Sequence, residues 1–83
     1  MEYPKGWKEE ESFLVKVFEF NNFVEAVDFV NKIVPLAEDM GHHPDLETFS
    51  YKKVRVKLTT HDEGNKITEK DTELAEKIEK ITL

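Results

Sequence analysis

Three histidines, His42, His43 and His61, are the side chains in this sequence best suited to moving protons near neutral pH. His42 and His43 stand side by side before Pro44, and His61 follows the most regular apolar stretch of the chain. Glu38 lies one helical turn before His42, so a helix carried that far would place both on one face. A carboxylate there would orient the imidazole or favour its charged form. On residue types alone, a proton-transfer site and a set of solvent-exposed bystanders stand level. A metal site is the weaker functional reading. His42, His43 and His61 with Glu38, Asp62 or Asp71 offer enough donors, but neighbouring side chains of an extended segment diverge. No HxxxH or HxH spacing is present, so no metal is expected.

The elements that must position these residues are legible from periodicity. Phe13 to Phe20 is β-branched and aromatic, with Leu14, Lys16, Phe18 and Phe20 on one face and Phe13, Val15, Val17 and Glu19 on the other. Both faces are apolar enough to predict a central strand, covered twice or meeting another subunit. Glu9 to Glu11 reads as a solvated turn or strand edge. Asn22, with Glu25 three residues on, caps a helix whose apolar positions are Phe23, Ala26, Val27, Val30, Val34 and Ala37, flanked by Phe29, Ile33, Leu36 and Met40. Pro35 predicts a kink or an early end, and Gly41 marks the stop. Glu47 to Tyr51 alternates weakly, and Lys52-Lys53 is placed at a turn. Val54, Val56, Leu58 and Thr60 then alternate cleanly with Arg55, Lys57 and Thr59. Thr68 caps a second helix, with Asp71 as the reciprocal acid and Leu74, Ala75, Ile78 and Ile81 as its buried stripe. The expected fold is α+β: a four-stranded antiparallel sheet with two main helices packed on one face.

Composition removes other classes. The 83 residues form one domain, 1–83, too small for a second core. Without cysteine there is no disulfide, thiolate metal site or thiol nucleophile. A net charge of −6 and a single arginine, Arg55, argue against nucleic acid and anionic membranes as partners. No apolar run approaches the roughly 20 residues of a membrane helix, and the acidic start Met1-Glu2 does not suit a signal peptide. A cytoplasmic location is expected.

The motif Glu38-Asp39-Met40-Gly41-His42-His43-Pro44, followed by Thr60-His61 at a strand end and Thr68 to Asp71 downstream, resembles the pterin-4a-carbinolamine dehydratases. Gly6-Trp7 and the corner from Phe18 to Phe23 are similar to the family's opening, and the resemblance spans nearly the whole chain. Leu46 stands where the family usually has tryptophan. The resemblance implies dehydration of 4a-hydroxytetrahydropterin to quinonoid dihydropterin, a step of tetrahydrobiopterin recycling. It implies histidine acid–base chemistry, with the pterin as substrate and no cofactor or metal. By that analogy His42 and His61 are catalytic and Glu38 tunes His42. His43, Pro44 and Thr60 bind substrate, and Asp71 supports the site, chiefly as a helix cap. The family's dimers and tetramers imply a homodimer or homotetramer. Two alternatives stay open: a non-catalytic interaction module, like the animal member that is a dimerisation cofactor for a homeodomain factor, and the same pocket acting on a molybdopterin-linked pterin.

Overall fold

The computed structural model describes residues 2–82. Its elements are β1 (Lys8–Glu10), β2 (Phe13–Glu19), α1 (Phe23–Met40), β3 (Asp45–Phe49), β4 (Lys53–Leu58), a single 3₁₀ turn (His61–Glu63) and α2 (Glu69–Lys80). All strand pairs are antiparallel, in the order β1-β2-β4-β3. Direct partners share a face. Leu14 opposite Leu58, Lys16 opposite Val56 and Phe18 opposite Val54 therefore line the side that the helices cover. Ala26, Phe29 and Ile33 of α1 and Leu74, Ala75 and Ile78 of α2 close the core over them, and Trp7 stands edge-on to Phe18 at 5.9 Å between ring centroids.

The two helices form where the local signals place them. The Asn22 side chain accepts the Glu25 backbone N–H at 2.8 Å, while the Glu25 carboxylate turns back to the N–H of Asn21. Thr68 and Asp71 form the reciprocal capping box of α2. Asp71 is fully buried.

Several expectations are corrected. Helix α1 runs through Pro35 to Met40. The hydrogen bond that proline removes would go to the carbonyl of Asn31, and both residues are exposed, so its loss leaves no buried polar group. The buried stripe of α1 is Ala26, Phe29, Ile33 and Ala37, whereas Phe23 and Val34 are half exposed. The buried face straddles the two stripes of the wide apolar arc, taking Ala26 and Ala37 from one and Phe29 and Ile33 from the other. The turn between β3 and β4 is Ser50–Lys52, with Ser50 and Tyr51 both at positive φ, and Lys53 already belongs to β4. Neither helix covers the second face of β2. There, Lys57 lies over the Phe13 ring at 4.3 Å and Arg55 over Phe49 at 4.4 Å. Their side chains cover those two rings, while Val17 on the same face stays 44% exposed.

Candidate functional site

The histidine chemistry depends on how α1 ends. Gly41 takes φ 60, ψ 31, the left-handed conformation that glycine adopts without a side-chain clash. The N–H of His42 then donates to the Ala37 carbonyl at 3.1 Å, and the N–H of Gly41 donates to the Glu38 carbonyl at 3.2 Å. These two bonds make a Schellman turn, which reverses the chain within two residues. His42 is thereby carried off the helix face that holds Glu38 and directed towards the start of α2.

There its Nε2 meets Asp71 Oδ1 at 2.6 Å. The other carboxylate oxygen of Asp71 accepts the Thr60 hydroxyl at 2.8 Å and the Thr68 backbone N–H at 2.9 Å. Asp71 is fully buried, Thr60 is 2% exposed and the His42 side chain 10%. A buried carboxylate is costly unless donors surround it, and three donors do so here. One residue thus caps a helix and anchors an imidazole. Its sequence signal identified only the cap.

Glu38 does not reach His42. Its Oε2 lies 2.6 Å from Nε2 of His43, and both side chains are about two-thirds exposed, 67% and 64%. The expected tuning of His42 by Glu38 is corrected to an exposed pair with the neighbouring histidine, because the Schellman turn breaks the helical spacing. An exposed ion pair contributes at most about 1 kcal/mol. Glu38→Gln should therefore weaken any ligand contact made by His43 by no more than about fivefold, measured by fluorescence titration. A much larger loss would mean that Glu38 itself touches the ligand.

His61 opens the 3₁₀ turn, and its Nδ1 lies 2.7 Å from Asn65 Oδ1. The loop is closed beneath it by the Thr60 N–H donating to the Lys66 carbonyl at 2.9 Å and the Asn65 N–H donating to the Thr60 carbonyl at 3.1 Å. The exposed His61 ring therefore sits on a pinned loop rather than a loose one.

These elements converge on a cleft of about 270 Å³ that is lined by all three histidines. Pro44 and Thr60 line it as well, so the five residues expected to carry acid–base work or substrate contact share one space. Glu38 is outside the lining and Asp71 lies behind it. Residue types alone did not single out Lys70 or Asp45, and Asp62 entered only as a spare metal donor; all three lie on the cleft wall. Lys70 is brought there by its place at the start of α2. Leu46, at the position of the family's tryptophan, packs on the edge of the core and is absent from the cleft lining. Among the described residues no three histidine, aspartate or glutamate side chains are grouped to hold a metal ion, and no helix is long and apolar enough to cross a membrane.

An imidazole fixed by a buried carboxylate, with two further imidazoles lining the same small cleft, is an arrangement for taking one proton and giving another. Several known proteins are similar to this chain. A protein from Sulfolobus acidocaldarius, provisionally named pterin-4-alpha-carbinolamine dehydratase, is 53% identical over 93% of this chain and 82% of its own length. A cyanobacterial protein from Picosynechococcus with the same provisional name is 50% identical over 89% of this chain and 77% of its own. The crystal structure of a transcriptional coactivator/pterin dehydratase from Brucella melitensis superposes with a TM-score of 0.85 at 33% identity, covering 93% of this chain and 82% of that one. A pterin dehydratase-like RuBisCO assembly factor of the alpha-carboxysome, 20% identical with a TM-score of 0.66 over 87% of this chain and 81% of its own, shares the fold. The sequence pattern of the pterin 4 alpha carbinolamine dehydratases matches residues 1–81, and with the histidine cleft in place the chain belongs to that family.

Proposed function

We propose that this chain dehydrates a 4a-hydroxytetrahydropterin to the quinonoid dihydropterin, in recycling of tetrahydrobiopterin. The carbon–oxygen bond breaks as an acid gives a proton to the departing hydroxyl, and a carbon–nitrogen double bond forms as a base removes the proton of the ring nitrogen. Water is the only other product and no electrons are exchanged, so the reaction calls for no cofactor or metal. His42 and His61 are the acid–base pair. His43 and Pro44 hold the pterin, with Glu38 acting through His43. The single observation that supports this reading is the convergence of three imidazoles on one cleft, with His42 anchored to a fully buried carboxylate.

Charge argues for an uncharged pterin over a molybdopterin-linked one. Asp45 and Asp62 on the cleft wall outnumber Lys70, in a chain of net charge −6. Each unbalanced carboxylate near a phosphate costs on the order of 1 kcal/mol at contact in water. A neutral dihydropterin analogue should therefore bind about fivefold more tightly than its phosphate ester at low salt, with the gap closing as salt rises. Calorimetric titration of both compounds tests the reading: no saturable binding of either would remove the pterin, and tighter binding of the phosphate would move the assignment to a phosphorylated substrate.

A partner-binding role has its own support, in the exposed Phe23, Val24 and Val34 of α1. Large apolar side chains in water favour association. We assign them to a homodimer or homotetramer in the cytoplasm. Sedimentation equilibrium should give a multiple of the 9.7 kDa chain mass that Val24→Lys lowers. A monomer at all concentrations would rule the oligomer out.

A further inference from the structure

The hydrogen bonds behind His42 have directions, and the directions settle which ring nitrogen is left for chemistry. The Lys70 backbone N–H donates to the Thr68 hydroxyl oxygen at 3.3 Å. Thr68 and Thr60 hydroxyl oxygens are 2.7 Å apart, and either could donate. The Thr60 hydroxyl, however, gives its one proton to Asp71 Oδ2. Thr68 must therefore donate to Thr60. The Thr68 N–H also points at Oδ2. Oδ2 thus receives two donors, and Oδ1 is left to receive the proton on Nε2 of His42.

From this chain of donors we infer that Thr68, Thr60 and Asp71 lock neutral His42 in its Nε2–H tautomer, so that Nδ1 is the nitrogen that exchanges a proton with the substrate. The inference rests on the proposed dehydratase reading for the identity of the substrate, but the tautomer itself is a property of the free protein. It also changes the role of Thr60. Its proton is committed to Asp71 and it is almost wholly buried, so it acts as a positioning residue through Asp71 and has no proton to offer a bound pterin.

Lock and cap are built from the same atoms. Asp71 accepts from the Thr68 N–H as the helix cap and from His42 as the anchor. The orientation of the reacting imidazole is therefore tied to the first turn of α2. A carboxylate that only capped the helix would have no need of the histidine or of the threonine relay. A histidine free to choose its tautomer would present a usable lone pair to the substrate only part of the time.

Nitrogen-15 spectra of histidine-labelled protein test this without any pterin present. His42 is assigned by the loss of its signals in His42→Gln. Above the titration range, wild type should show a protonated Nε2 and an unprotonated, pyridine-like Nδ1 at His42. In Asp71→Asn the amide oxygen is drawn to the Thr68 N–H and the Thr60 hydroxyl, so the amide NH₂ faces His42 and the proton should move to Nδ1. A wild-type His42 protonated on Nδ1, or a folded Asp71→Asn with unchanged tautomer, overturns the lock. The wild-type spectrum decides the matter even if the variant does not fold. For Thr60, kinetics on 4a-hydroxytetrahydropterin separate the two roles. Thr60→Val should lower kcat by about tenfold with KM within about twofold, and Thr60→Ser should restore it. A raised KM with unchanged kcat would make Thr60 a substrate contact. If the lock is seen by resonance but no variant or wild-type protein turns over the pterin, the dehydratase reading fails while the tautomer assignment stands.

Discussion

Asp71→Ala should destabilise the protein by about 3 kcal/mol, the largest single-residue loss of stability expected outside the apolar core. The carboxylate accepts three donors in a site closed to solvent: the His42 ring, the Thr60 hydroxyl and the Thr68 N–H. Losing the cap alone costs about 1 kcal/mol. Each of the other two donors is left buried or nearly so, at about 1–3 kcal/mol when unsatisfied, less what relaxation and water recover. A domain of this size holds only roughly 4–12 kcal/mol in total, so such a loss takes up a large share of the reserve. Urea denaturation should show the midpoint falling with an unchanged slope, and thermal melting should fall by roughly 12–24 °C. A loss under about 1 kcal/mol would mean that Asp71 acts only as a cap.

The second large effect concerns rate. His42→Gln and His61→Ala should each lower kcat for dehydration of 4a-hydroxytetrahydropterin by about 10²–10⁴-fold, the usual contribution of one positioned acid or base. Glutamine is the better replacement at position 42. Its amide can still donate to Asp71, so the buried carboxylate keeps a partner and the rate loss is not confused with unfolding. The combined variant should lose less than the product of the two, because an acid and a base acting on one bond-breaking step work as a unit. Circular dichroism and a urea titration on each variant show that the folded fraction is unchanged. If one histidine variant keeps full kcat, that ring is not in the proton path and the pairing of His42 with His61 is wrong.

What could be read from the sequence was local. The caps at Asn22 and Thr68, the stop at Gly41 and the alternation of Val54, Val56 and Leu58 each depend on residues within a few positions, and the structure keeps all of them. The three histidines were legible by type, and their place in loops at element ends brought them to one cleft. What was not legible depends on contacts between distant segments or on turns without their usual residues. The bond from His42 to Asp71 crosses 29 positions, so spacing shows Asp71 only as a cap, and its support of the site enters only through the family resemblance. Helical spacing pairs Glu38 with His42, but that spacing runs one residue past a glycine that reverses the chain, and Glu38 meets His43 instead. The turns at Glu11-Ser12 and Ser50-Tyr51 put non-glycine residues at positive φ, where Gly or Asn is the usual marker, so the sequence shows the first only as a turn or strand edge over Glu9 to Glu11 and places the second too late, at Lys52-Lys53. Strand β1 is three charged residues whose only claim to be a strand is pairing with Phe13, Leu14 and Val15. The wide apolar arc of α1 could not reveal which of its positions the core would take, and the exposed ones belong to the surface we assign to association.

The central claim is that the histidine cleft removes water from a pterin carbinolamine. The most direct measurement is the initial rate of quinonoid dihydropterin formation from 4a-hydroxytetrahydropterin, followed by absorbance, for wild type beside a folded His42→Gln, His61→Ala double variant. Wild type should be at least about 10²-fold faster per mole of protein. Equal rates in two folded proteins would contradict it and leave the fold as a binding scaffold.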